Sequence, residues 1–433
     1  MENNEFEYKK SYTGIFGLNY FTQGIYTSIF TMVIPVYLLI TYGSINIAAL
    51  AFMLSIILIP TTIKIVYGII TDKVGIRNLG RRKPWIIFPV SVGGIVWIII
   101  TFMIPSTSDA AIRLFTVAGL ITSFCVYFSD TALDGFILDI CPKSELGRTQ
   151  GFCWGLRAAG IIFGGPVILL FLVYIPIEII FISFGIMMIT FSLFTLFIKD
   201  IKKHKTINIG ATIKEIFKKS ENWKLFVYSF FLQIVGGVVY TFLALYILIR
   251  MGLVKQIGAS TGALGDVSIY ESQAFITAII SIGIITGSLL GGIIADKKSR
   301  RLAVFLGLSL YITSLLLLIL PVPISILIVF AFLVGAASAW YWAAYSAIAA
   351  EYSKRYPEMA STFFSICLSF INLGTVIGFI ITGIWFNILS KGTTDALIIF
   401  GTLFILMAVL EAFSIIPFLM LDRKNYEYKL AEK

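Results

Sequence analysis

The chain has 433 residues, 58% of them hydrophobic and 13% charged. Soluble domains carry about 25% charged residues, so an ordinary soluble enzyme is excluded. A formal net charge of +10 would point to nucleic acid in a soluble protein. In a chain this apolar it marks basic loops at a membrane surface, and no nucleic-acid partner is expected.

Apolar runs long enough to cross a bilayer, which takes about 20 residues, recur throughout. They predict spans at 14–41, 46–71, 84–104, 110–141, 149–173, 176–198, 223–250, 271–295, 301–320, 323–350, 359–387 and 394–421. The runs are continuous rather than alternating, which excludes a porin-type barrel. Glu2, Glu5, Glu7, Lys9 and Lys10 precede a first run too long for a cleavable signal peptide. Lys64 and Arg157 lie deep inside spans, and Arg113, Arg250, Lys255 and Lys391 lie in odd-numbered loops or at the span ends beside them. Every other Lys and Arg falls at the termini, in even-numbered loops or at the span ends beside those. The positive-inside rule then puts both termini in the cytoplasm, with the plasma membrane as the expected location. The basic stretch 199–222, with His204 among lysines, divides a first bundle (1–198) from a second (223–433). It is expected to lie along anionic lipid.

The halves repeat. Gly68, Asp72, Lys73, Gly75 and Arg77 end span 2 and open its loop; Gly292, Asp296, Lys297, Arg300 and Arg301 do the same after span 8. Ile76 stands at an expected basic position and Ser299 at an expected glycine. Asp139 before Pro142 is echoed by Glu351 before Pro357. The two loops resemble the signature loops of the major facilitator superfamily, and the resemblance covers the whole chain. It implies an all-α membrane protein, with twelve transmembrane helices in two pseudo-symmetric six-helix bundles. Locally, Gly80-Arg81-Arg82-Lys83-Pro84-Trp85 resembles glycoside-pentoside-hexuronide cation symporters. Asp130-Thr131-Ala132-Leu133-Asp134-Gly135 with Gln150–Gly155 resembles folate-biopterin transporters. Gly160, Gly164, Gly165 and Pro166 partly match an antiporter signature.

Charges inside a span mark a pathway or a buried pair. At about 1.5 Å per residue from the terminus side, Lys64 is about 12 Å deep, Asp134 about 10 Å, Arg157 about 12 Å and Asp130 about 16 Å. Lys64, Asp134 and Arg157 are thus expected in one layer. Asp130 is expected higher and further from the cations, which makes it the first choice for a proton-binding residue. The four read either as an ion-coupling site or as a cluster that locks the bundle. Asp139 is expected to latch Arg77, Arg81 or Arg82 as a gate, with Arg148 close by; Asp72, Asp296, Arg300 and Glu351 are expected to gate in the same way.

For substrate contacts, Trp340, Tyr341, Trp342 and Tyr345 in span 10 offer rings that stack on sugars or heterocycles. An interfacial aromatic belt is the alternative. Asn19, Gln23 and Thr27 form a polar stripe in span 1, joined by Gln233 and Asn372; each is a substrate contact or a packing bond between helices. Glu411 in span 12 reads either as a protonated acid or as a groove-facing one.

The cysteines show no metal-ligand spacing. No GxxxxGK[ST] motif is present, so ATP is not the expected driver, and neither cofactor, metal nor catalytic residue is implied. The expected partners are a small organic solute, a coupling proton or sodium ion, and the bilayer, with the chain acting as a monomer. The expected function is secondary transport by alternating access. The alternatives are proton-coupled efflux and a non-transporting membrane assembly factor on the same scaffold.

Overall fold

The computed structural model describes residues 8–43, 45–76, 79–199, 209–254, 268–356 and 360–427. Within these, the side chains of 72, 73, 143, 144, 146, 147, 209–212, 360 and 361 are not described. Arg77, Lys255 and His204, and the Asp72 side chain, to which the sequence assigns roles, fall outside the described residues.

Among the described residues, twelve helices are long and apolar enough to cross a membrane. Spans 1 to 6 are Lys10–Tyr42, Ile47–Thr71, Lys83–Thr101, Ser108–Ile140, Arg148–Phe171 and Ile177–Phe197. Spans 7 to 12 are Ser220–Arg250, Ser268–Lys297, Arg300–Leu317, Ile324–Ser353, Thr362–Leu389 and Ala396–Leu419. An even number of spans brings residue 427 back to the side of residue 8, called here the terminus side. A further short helix, Ile209–Lys218, precedes span 7.

Several spans are interrupted, each for a local reason. Pro35 has no N–H to donate to the preceding turn, and span 1 takes a wide π turn over Ile29–Val33. Span 5 does the same over Phe163–Val167, around Pro166. Span 2 breaks at Ile63 (φ −104°, ψ 25°), three residues after Pro60. Span 7 breaks between Leu232 and Gly236.

Glycines bring helix backbones together in a pattern that repeats between the halves. A Cβ on Gly160 or Gly164 would meet the backbone of Phe21 or Ile25, so span 5 lies directly on span 1. A Cβ on Gly374 or Gly378 would meet the backbone of Phe230 or Ile234, so span 11 lies on span 7 in the same way. The Gly160/Gly164 spacing is therefore accounted for by helix packing.

The apolar core shows how the halves sit. Opposite the terminus side, one cluster runs through both halves, from Ile25 and Leu54 in the first to Phe242, Ile280 and Phe386 in the second. On the terminus side the core divides. Phe16, Leu133 and Phe136 belong to a cluster of the first half, and Phe226, Ile348 and Phe363 to one of the second. The principal contact of span 8 with span 5 is at 163–171, on the opposite side. On the terminus side, nothing lies within 4 Å of a Cβ built on Gly151 or Gly155 of span 5. Spans 5 and 8 thus meet opposite the termini, while on the terminus side Ile65 of span 2 still packs against the second-half cluster.

Candidate functional site

Three spans of the first half bring the buried charges together. The Lys64 ammonium, on the first residue after the break in span 2, is ion-paired and hydrogen-bonded to Asp130 of span 4. Arg157 of span 5 approaches the other Asp130 oxygen at 3.8 Å and lies 5.1 Å over the Trp154 ring. Gln23 of span 1 sits beside the same carboxylate. Asp130 is therefore the acceptor of both cations. Asp134, one turn nearer the terminus side, takes a hydrogen bond from the Tyr20 hydroxyl of span 1. Among the described residues no cation lies within ion-pair distance of it.

This corrects the expected order, in which Asp134 faces the cations and Asp130 stands apart. Depth counted along an unbroken helix ignores the turn at Ile63, which brings Lys64 to Asp130. Asp130 is buried, whereas Asp134 and Arg157 are half-buried. Two cations and two carboxylates balance in a low-dielectric region, where an isolated charge would be costly.

Below this cluster the first signature loop is tied to span 4. Arg81 Nη2 and Arg82 Nε both reach Asp139 Oδ2, at 2.6 and 3.0 Å. Arg82 Nη1 also donates to Thr71 Oγ1 at 2.8 Å, and its guanidinium fills the space a Cβ would need at Gly135. Arg148 is exposed at the start of span 5. The second loop is tied similarly, with Arg300 Nη1 2.9 Å from Glu351 Oε2. Here the C-terminal segment joins in. The Tyr426 carbonyl accepts from Arg300, and Glu427 Oε1 accepts from Ser299 Oγ at 2.6 Å and Arg301 N at 2.8 Å. Nothing in the sequence pattern after span 12 flagged Tyr426 or Glu427. Asp296 is exposed at the end of span 8.

The expected substrate contacts divide. Asn19 Nδ2 donates to the Ile15 and Phe191 carbonyls at 3.0 and 3.2 Å, so it joins span 1 to span 6. Thr27 bonds back to the Gln23 carbonyl within its own helix. The Tyr341 hydroxyl bonds Ser414 Oγ (2.8 Å) and the Tyr345 hydroxyl bonds Ser229 Oγ (2.5 Å). Both are buried bonds from span 10 to neighbouring elements of the same half. Trp340 Nε1 donates to the Ala303 carbonyl (3.0 Å), and its ring lies against Gly307. These five are corrected to packing residues, because their polar atoms are engaged within one half. Trp342, with its ring 6.0 Å from that of Tyr345, and Gln233, at the break in span 7, remain half-buried. Asn372 Nδ2 donates to the Thr61 carbonyl at 3.0 Å, across the two halves. Glu411 is fully buried beside Tyr228, Tyr311 and Tyr341, and among the described residues neither carboxyl oxygen has a hydrogen-bond partner. It faces the interior of the second half, not a groove.

With this geometry in view, the comparisons with known proteins fit the architecture. The Major Facilitator Superfamily profile matches residues 16–270 and 266–433, and the chain belongs to that family. Its members are transporters. The protein thus has the major facilitator architecture, with two six-helix halves. Among curated relatives, a Rickettsia conorii protein bearing the transporter name AmpG 1 is 30% identical over 268 residues, 59% of this chain and 63% of the relative. That is less than two thirds of its length. A Rickettsia felis protein of the same name is 32% identical over 123 residues, 27% of each chain. Among solved structures, the nucleoside transporter NupG aligns with a TM-score of 0.70 at 14% identity, over 94% of this chain and 98% of that one. A D-xylose-proton symporter aligns at 0.67 and 14%, over 93% and 96%. A bacterial homologue of the human lysosomal transporter Spinster, inward-facing and unoccupied, aligns at 0.65 and 15%, over 98% and 97%. At these identities the structures establish the fold.

Proposed function

We propose that this protein is a proton-coupled secondary transporter of a small organic solute, working by alternating access about the charge cluster. One observation carries the reading. Lys64, Asp130, Arg157 and Asp134 gather within spans 2, 4 and 5, with Asp134 and Arg157 only half-buried. Ionisable groups at that depth are where transporters hold substrates and ions. The family and the relatives' transporter name support the same reading, as does proton symport in one structural neighbour.

Within it, Asp130 holds the two cations and Asp134 is the exchangeable acid. Asp134 has a hydroxyl donor in place of an ion partner, and it is the less buried of the two. The half-buried Gln233, Trp342 and Arg157 contact the solute. Rocking of the halves then exposes the cluster to one side at a time. The Arg81/Arg82–Asp139 and Arg300–Glu351 ties hold each signature loop to its own half during that movement. A membrane potential adds about 2.3 kcal/mol per charge per 100 mV, enough to concentrate a solute through a single coupled proton.

The basic terminus side faces the cytoplasm of the cell membrane in this reading. A cysteine in place of the exposed Lys354 is then expected to react with impermeant maleimide from the cytoplasmic side alone; labelling from outside intact cells would overturn the orientation. The function itself is tested in proteoliposomes with an imposed pH gradient. They would be offered sugars, nucleosides, amino acids and pterins preselected by thermal stabilisation of the purified protein. Accumulation of one class above the external concentration, abolished by a protonophore, is the expected result. A solute that binds and stabilises but never crosses would mark a non-transporting factor.

A further inference from the structure

The break in span 2 frees backbone groups in a place where the membrane supplies no water. Pro60 cannot donate, Ile63 leaves helical geometry, and a new helix begins at Lys64. The Val66 N–H turns back to the Ile63 carbonyl at 2.9 Å, so the carbonyls just ahead of the break need other donors. Two side chains serve them. The Tyr67 hydroxyl donates to the Pro60 carbonyl at 3.0 Å. Asn372 Nδ2 donates to the Thr61 carbonyl at 3.0 Å. The first donor belongs to the same span, but the second comes from span 11, in the other half. Three residues beyond Thr61 stands Lys64, the cation of the central ion pair.

We propose that Asn372 is a positioning residue that couples the Lys64–Asp130 pair to the docking of the two halves. By capping Thr61 it holds span 2 in its broken form, and that form places Lys64 on Asp130. Sequence alone left Asn372 as a substrate contact or a packing bond between helices; its amide is committed to backbone across the interface. When the halves rock, span 11 shifts against span 2 and the cap is lost. The uncapped carbonyl is then relieved by rearranging the turn that carries Lys64. A conformational change of the whole protein is converted into a local change at the ion pair, and the reverse holds by the same linkage. The proposal rests on the two-state carrier reading above.

The test uses the full chain in nanodiscs, with Cys125, Cys141, Cys153 and Cys367 replaced by alanine and spin labels at Lys9→Cys and Lys354→Cys. Both label sites are exposed on the terminus side, one in each half. Distance distributions report the ratio of parted to closed forms. Asn372→Leu, which cannot donate, is expected to change that ratio about threefold or more, on the scale of one lost buried hydrogen bond. Asn372→Gln keeps a donor and is expected to restore much of the original ratio. The decisive comparison repeats Asn372→Leu in a Lys64→Met/Asp130→Leu background, where no ion pair exists to be positioned. There the change is expected to vanish. An equal change in both backgrounds would make Asn372 an interface contact without a link to the charges, and the proposal would fall while the carrier reading stood. A single unchanging distance in every variant would overturn the two-state reading and the proposal together. If Asn372→Leu does not yield monodisperse protein, Asn372→Ala is read in its place against the same outcomes.

Discussion

Asp130→Ala is expected to remove transport and to destabilise the protein by about 3–5 kcal/mol. Asp130 is the shared anion of Lys64 and Arg157, and its loss leaves two cations in a buried region beside the half-buried Asp134. A lone charge in low dielectric is far more costly than a pair replaced by apolar groups. The double variant Lys64→Met/Asp130→Leu is therefore expected to regain much of the stability without regaining transport. Thermal unfolding of the purified proteins, beside flux in proteoliposomes, measures both. A single variant as stable as the parent would show that the cluster does not brace spans 2, 4 and 5.

The second large effect is steric. Gly160→Leu is expected to prevent accumulation of folded protein, a loss beyond about 4 kcal/mol. Its Cβ would meet the Phe21 backbone, where spans 1 and 5 touch directly, and a backbone has no rotamer with which to yield. Gly155→Ala, on the same span, meets nothing within 4 Å and is expected to be neutral or stabilising by up to about 1 kcal/mol, from helix propensity. Size-exclusion profiles of the two variants in one detergent separate these outcomes. A monodisperse, thermally normal Gly160→Leu protein would contradict the close approach of the two helices.

The architecture was legible because a bilayer demands long apolar helices, and each appears as a continuous run. The extent of single helices was less so. Span 1 begins at Lys10 and span 8 ends at Lys297, because basic residues reach from a helix end to the interface and apolarity alone undercounts them. The gathering of Lys64, Asp130, Asp134 and Arg157 in one region was also legible, since intramembrane charges are few. Which cation faces which acid was not. That depends on the break at Ile63 and on how the helices are rotated, neither of which a residue count conveys.

Tyr341 and Tyr345 do share a face, as their four-residue spacing required. What the spacing omitted was that Ser229 and Ser414 wait on the elements that face packs against. The glycine pair of span 11 repeats that of span 5 at the same spacing, a signal present in the sequence. Its meaning, backbone lying on backbone, emerges from the contacts with Phe230 and Ile234. The tie between Glu427 and the second signature loop brings together segments far apart in the chain, and no local pattern encodes it.

The central claim is that a two-state carrier is driven through an exchangeable proton on Asp134. Asp134→Asn mimics the protonated acid while keeping a hydrogen-bonding partner for Tyr20. The most direct measurement sets pH-driven accumulation beside solute counterflow, in the same proteoliposomes, for the parent and for Asp134→Asn. The account predicts that the parent does both. Asp134→Asn is predicted to exchange solute at a rate within about tenfold of the parent, yet not to accumulate it against a gradient. Full pH-driven accumulation by Asp134→Asn would contradict the account and move the coupling site elsewhere.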